Sequence, residues 1–197
     1  MSPIVAAAIA LAGFVLGSIP FGVLVGRRSG VDVTQQGSGN IGATNVARTA
    51  GKRAGLVVLL ADIAKGAAPM AVFLHALDGQ AANWWFVAVG LAPIIGHCFS
   101  PWLHFRGGKG VATSIGVFVI ADPIAALVAF IAFALVYLVA RVVSLGSMTG
   151  ALAIVATVAV TGRPAPVLAL AIAVAVLILE RHRANLGRLL SRRELKL

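Results

Sequence analysis

From Ser2 to Gly26 the chain carries no charged side chain, and Arg27 and Arg28 then follow side by side. A run that long suits one solvent, because about 20 apolar residues coiled into a helix span a ~30 Å hydrocarbon core. A cleavable signal peptide would place positive charge before an apolar stretch of about 7–15 residues. Here the run is longer and the charge comes after it. The run is therefore read as a first membrane span, residues 4–25, whose C-terminal end stays inside.

Further apolar runs occupy residues 54–76, 84–101, 148–161 and 164–179. Another, 111–140, is broken by Asp122-Pro123. Proline lacks an amide hydrogen and disfavours helix at the residue before it, so two antiparallel helices, 111–121 and 124–140, are expected. The first would be only about 16 Å long, too short to cross alone. Composition agrees with lipid as the solvent: 60% of the 197 residues are hydrophobic and 11% charged, against about 25% charged in soluble domains.

The net charge of +10 is spread between the apolar segments, with no basic helical face interleaved with aromatics. That layout argues against nucleic acid as a partner and for span-flanking charges. With seven segments and the N-terminus outside, 14 of the 16 Lys and Arg residues fall on the inner side, Arg163 falls outside and Lys65 lies within a span. The expectation is an all-α, polytopic integral membrane protein of about seven transmembrane helices, N-terminus outside and C-terminus cytoplasmic, forming a single domain over 1–197. Cys98 is the lone cysteine and excludes an internal disulfide. Gly13 and Gly17, like Gly22 and Gly26, are four apart and read as close-packing positions.

The chemistry-bearing residues collect in the inner loops. Thr34 to Arg48 contains Gly37, Gly39 and Gly42 among Ser38, Asn40, Thr44, Asn45 and Arg48. Glycines let backbone N–H groups converge on an anion, and amides, hydroxyls and a guanidinium complete a phosphate site. The loop from Phe105 sets Lys109 among Gly107, Gly108 and Gly110 at the start of a helix, a second anion site. It is not a nucleotide-binding P-loop, since Gly110 stands where Ser or Thr would bind magnesium. In the tail, His182 and Asn185 share a helix face, with Arg181 and Arg183 read as headgroup anchors. Ser144 and Ser147 add a polar patch beside Arg141. Asp62 and Lys65 are read as an intramembrane ion pair, and His97 as a packing residue. The histidines and carboxylates show no metal-ligand spacing, so no metal is expected.

Taken together, Gly37-Ser-Gly-Asn-Ile-Gly-Ala-Thr-Asn-Val-Ala-Arg48, Asp62-Ile-Ala-Lys-Gly66, Gly96-His97, Gly107-Gly-Lys-Gly-Val-Ala-Thr113, Val143-Ser144 and His182-Arg-Ala-Asn185 closely resemble the bacterial acyl-phosphate-dependent glycerol-3-phosphate acyltransferases of the PlsY type. The resemblance runs along essentially the whole chain. It implies an inner-membrane enzyme that moves an acyl group from a long-chain acyl phosphate to the 1-hydroxyl of glycerol 3-phosphate, giving lysophosphatidic acid and inorganic phosphate without a cofactor, with the active site on the cytoplasmic side. It also implies that Ser38, Arg48, Lys109, His182 and Asn185 are the functional residues.

On this reading Ser38, Arg48 and Lys109 bind phosphate, with Asn40, Thr44, Asn45 and Ser144 alongside. Asn185 and the N–H groups of Gly107, Gly108 and Gly110 face the acyl carbonyl oxygen. His182 orients or deprotonates the attacking hydroxyl; a substrate phosphate oxygen is the alternative proton acceptor, and the sequence leaves both open. Glu194 is given no role. Two rivals come from other classes. An anion transporter would use the same basic glycine-rich elements but calls for inverted repeats, of which none is detected. A membrane scaffold would leave the polar loops without a purpose.

Overall fold

The computed structural model describes residues 2–76 and 80–195. Among the described residues ten α-helices follow one another: α1 Pro3–Ser18, α2 Phe21–Arg28, α3 Ala43–Thr49, α4 Lys52–Ala71, α5 Trp85–Cys98, α6 Val111–Ala121, α7 Pro123–Ala140, α8 Val143–Val160, α9 Ala165–Arg181 and α10 Arg183–Leu190. A π-helical turn, Val72–Ala76, extends α4, and a short 3-10 turn, Pro101–Leu103, follows α5.

Among the described residues five helical stretches are long and apolar enough to cross a bilayer: Pro3–Arg28, Lys52–His75, Trp85–Leu103, Pro123–Ala140 and Val143–Val160. A sixth arises if α9 and α10, bent by 55°, count together. With the 11-residue α6, the seven apolar segments read from the sequence are all helical. Their outward side chains are those lipid accepts, as at Leu60, Leu127, Phe130, Leu138 and Val160.

Two boundaries follow from capping. Asp122 accepts from the Ala125 N–H at 3.2 Å and caps α7, with Pro123 at its first position. Asp122 also receives Arg163 Nε at 2.8 Å, so the far ends of α6 and α9 are tied together. The first span differs from the sequence expectation. It breaks at Pro20, which cannot donate to the carbonyl four residues back, and α2 starts anew from Phe21. A second difference is at α8, which begins at Val143 rather than 148 and so carries Ser144 and Ser147 on its first turns.

Close crossings place the site. At the α4–α6 contact, a methyl on Gly66 would stand 2.0 Å from Thr113 O, and one on Gly116 2.0 Å from Ile63 O. Only glycine permits that approach. The crossing drops the first turn of α6 beside α4. A small second core of Val23, Val33, Ile41, Val46 and Val58 roots the 29–42 loop and α3 on α2 and α4. The loops before α3 and α6, the start of α8 and the C-terminal tail thus gather at one end of the bundle, away from Asp122 and Arg163.

Candidate active site

The loop ahead of α3 is not a slack connector. Asp32 Oδ1 accepts from Thr34 N–H at 2.9 Å and from its hydroxyl at 2.6 Å, starting a turn. Gly37 and Gly39 adopt left-handed φ of 62° and 69°. A methyl on Gly37 would also come within 2.3 Å of Asn45 Oδ1. Asn45 is buried, and its whole amide is used in folding the loop: Oδ1 accepts from Ser38 N–H at 2.8 Å, while Nδ2 donates to Val33 O at 2.9 Å and Gln36 O at 3.0 Å. Asn40 Oδ1 similarly accepts from Gly42 N–H at 2.9 Å. The expectation that Asn45 reaches outward to an anion is corrected on this geometry, because both its amide atoms are bonded within the loop; Asn40 turns its oxygen to the loop and stays on the cavity wall. What they hold up is Ser38, Thr44 and Arg48 on the wall of the cavity.

The second glycine loop also departs from expectation. Gly107 N–H donates to Cys98 O at 3.1 Å and Gly108 N–H to His97 O at 2.9 Å. These two donors are tied to the end of α5 and are not available to a substrate carbonyl. Gly110, with φ of 81°, lines the cavity with Lys109, Val111 and Ala112. The first turn of α6, whose N–H groups have no carbonyl within the helix, supplies donors there instead. Arg181 is not a headgroup anchor. Its Nε and Nη2 donate to Gly108 O at 3.0 Å and Gly107 O at 2.9 Å, and its guanidinium lies 5.3 Å from the Phe99 ring centre. It clamps the loop; Arg183 instead pairs with Glu180 on the surface.

Lys109 Nζ donates to Asn185 Oδ1 at 2.5 Å. Burial pushes the Lys109 ammonium down to about 8, Glu194 opposing the shift and Arg188, Arg181 and Arg48 adding to it. His182 is buried at the corner between α9 and α10, and its Nδ1–H donates to Ile178 O at 2.8 Å. That bond fixes the tautomer and leaves the Nε2 lone pair free. Burial, with Lys109 nearby, lowers His182 to about 4, so the ring is neutral near pH 7.

Glu194, which carries no role on sequence grounds, organises the tail. It accepts from Ser144 Oγ and Arg188 Nε, each at 2.8 Å, and from Asn185 Nδ2. Burial works against its charge, but these donors outweigh it and hold the carboxyl below its ordinary value. The available signal was a lone acid among Arg188, Arg192 and Arg193; Lys196 lies outside the described residues.

Lys109, His182, Asn185, Ser144 and Glu194 all face one cavity of about 580 Å³. Its polar end holds Ser38, Arg48, Lys109, His182 and Asn185; its other end is walled by Leu59, Ile63, Ile115, Phe130, Phe133 and Ile154 from α4, α6, α7 and α8. Among the described residues no cluster of three His, Cys, Asp or Glu could hold a metal ion.

A family model described as glycerol-3-phosphate acyltransferase matches residues 7–192. The chain belongs to that family. It is 46% identical over its whole length to a glycerol-3-phosphate acyltransferase of Anaeromyxobacter dehalogenans, likewise covered in full. It is 47% identical to that of Myxococcus xanthus over 95% of this chain and 97% of the relative. Its fold superposes on the crystal structure of PlsY (YgiH), an integral membrane glycerol 3-phosphate acyltransferase in its glycerol 3-phosphate form, with a TM-score of 0.94, 38% identity and coverage of 98% and 95% of the two chains. The lysophosphatidic acid form of the same protein gives 0.91. The chain is therefore a multi-pass membrane acyltransferase, and the pocket just described is the candidate active site of a glycerol-3-phosphate acyltransferase.

Proposed function

We propose that this acyltransferase takes its acyl group from a long-chain acyl phosphate and passes it to the 1-hydroxyl of glycerol 3-phosphate, working as a single domain in the bacterial inner membrane. The observation that carries the reading is the joining, in one cavity, of a cationic pocket and an apolar trough. The pocket suits phosphate and the trough suits an alkyl chain, so the bond between phosphate and acyl carbon falls at their junction. The basic end of the bundle is assigned to the cytoplasm, with the N-terminus opposite, on the positive-inside bias.

Ser38, Arg48 and Lys109 hold substrate phosphate, and Thr44 lines the same wall. Lys109, Asn185 Nδ2 and the N–H groups at the start of α6 face the carbonyl oxygen as charge develops there. The hydroxyl oxygen of glycerol 3-phosphate attacks the acyl carbon. The carbon–oxygen bond to phosphate then breaks, and the leaving phosphate keeps the electron pair. His182 Nε2 accepts the hydroxyl hydrogen bond and orients it, but a base with a pKa of about 4 is too weak to keep the proton. The proton passes to the departing phosphate oxygen, so the group leaves as hydrogen phosphate and no charge is stranded on the enzyme. An acyl phosphate is already an activated anhydride, so proximity and charge stabilisation suffice.

The test supplies purified protein with glycerol 3-phosphate and either palmitoyl phosphate or palmitoyl-CoA, reading lysophosphatidate by mass spectrometry and phosphate release. One phosphate per lysophosphatidate from the first donor, with none from the second, and loss of both in Lys109→Ala, is the expected result. Turnover with palmitoyl-CoA alone would overturn the donor assignment.

A further inference from the structure

One buried polar group has no part in the chemistry above: Asp62, Lys65 and His97, each no more than 4% exposed. Lys65 Nζ lies 2.9 Å from Asp62 Oδ1 and donates to Ile19 O at 3.1 Å, the carbonyl at the α1–α2 break, with the Phe21 ring centre 5.7 Å away. Those contacts fix Asp62 from behind. His97 Nδ1 stands 3.6 Å from Asp62 Oδ1, beyond a hydrogen bond but within reach of its charge. Both Asp62 and His97 reach the cavity wall.

The other side of the imidazole meets the glycine loop. A methyl on Gly108 would stand 2.0 Å from His97 Nε2, 2.8 Å from Cε1 and 2.9 Å from Cδ2. Gly108 is not among the glycines with positive φ. Its backbone therefore tolerates a side chain, and the three atoms nearest the added methyl all belong to the His97 ring. The same histidine accepts Gly108 N–H on its backbone carbonyl. Ring and carbonyl together grip residue 108, one position before Lys109.

We infer that His97 is a positioning residue: its ring is the floor on which the 107–110 loop rests, and it sets the depth at which Lys109 meets Asn185. Asp62, fixed by Lys65, holds the ring under the loop. The inference rests on the proposed assignment of Lys109 to substrate phosphate and carbonyl.

The experiment is a double-mutant cycle in palmitoyl-phosphate turnover, with thermal unfolding of each protein in detergent. Gly108→Ala forces the loop upward and lowers kcat/KM by about 100-fold, and His97→Ala lowers it by about 10-fold. Combined independently, they would cost about 1,000-fold. With the ring gone the methyl has room, so the double variant is expected to match His97→Ala within about threefold. A double variant at the multiplied loss overturns the inference.

His97→Gln and His97→Asn give a second reading that does not depend on Gly108→Ala folding. Glutamine places its amide nitrogen where Nε2 lies under the loop, and asparagine places its own at Nδ1 facing Asp62. Glutamine is expected to retain activity within about threefold and asparagine to fall with alanine, their unfolding temperatures being alike. Asparagine equal to or better than glutamine would refute the floor. Lys109→Ala separates the levels. If it stays active, the site assignment fails; if it is inactive while His97 and Gly108 behave independently, only the inference fails.

Discussion

Raising the pH through the lysine range should make the enzyme more stable while it becomes less active, and both effects trace to Lys109. In the folded chain its pKa lies at about 8 instead of 10.5. Between those values the unfolded chain binds the proton and the native chain does not. Stability therefore rises with pH across that window, is complete above 10.5 and vanishes below about 8. At about 1.36 kcal/mol per pH unit the gain reaches about 3 kcal/mol at most. Under the proposed assignment of Lys109 to phosphate and the developing oxyanion, activity should run the other way, because only the ammonium form neutralises their charge. Since kcat/KM reports the free enzyme, it should fall above pH 8 or so, whereas bound phosphate favours the ammonium and moves the limb in kcat higher. Substrate phosphates titrate near pH 6 and stay silent in this range. The assay follows unfolding temperature and initial rates from pH 7 to 10.5, with Lys109→Met as the control that removes the titrating group. A flat kcat/KM to pH 10, or a wild-type unfolding curve that tracks Lys109→Met at every pH, would refute the reasoning.

Glu194→Gln removes a carboxylate that raises the Lys109 pKa, so the alkaline limb of kcat/KM should move below that of wild type; an unchanged limb counts against the contact. Asn45→Ala leaves the Ser38 N–H and the Val33 and Gln36 carbonyls without their partner and should cost about 3 kcal/mol in stability, with protease cleavage appearing between residues 33 and 45. Arg192 has a left-handed φ of 57°, so Arg192→Gly should raise the unfolding midpoint by about 1 kcal/mol in stability with kcat unchanged.

How much of this was legible beforehand differs from residue to residue. Asp122-Pro123 announced its break because an acid beside proline is hard to place inside an apolar helix. Pro20 did not, because apolar residues flank it and hydropathy runs straight through. Polar identity was readable at Asn45, Gly107, Gly108 and Arg181, but direction was not. An asparagine amide serves an anion or its own loop equally well, and only the packing of α3 on α2 and α4 turns Asn45 inward. The two glycine N–H groups read as substrate donors, yet the end of α5 claims them. Glu194 lies nine residues beyond Asn185, and nothing local shows that the chain reverses after α10, at Ser191 and Arg192, to bring them together.

The apolar trough described above is flanked on one side by Leu56, 55% exposed, and on another by Phe130, 62% exposed. Its walls are continuous with the lipid-facing surface of α4 and α7. An alkyl tail entering sideways between them exchanges one hydrocarbon surrounding for another. Lifting a sixteen-carbon tail into water instead would cost about 0.8 kcal/mol per methylene, or ~12 kcal/mol in all, comparable with the roughly 8–23 kcal/mol by which enzymes lower their barriers. An acyltransferase shaped in this way leaves its greasy substrate where it already lives and asks only the small, water-soluble one to travel.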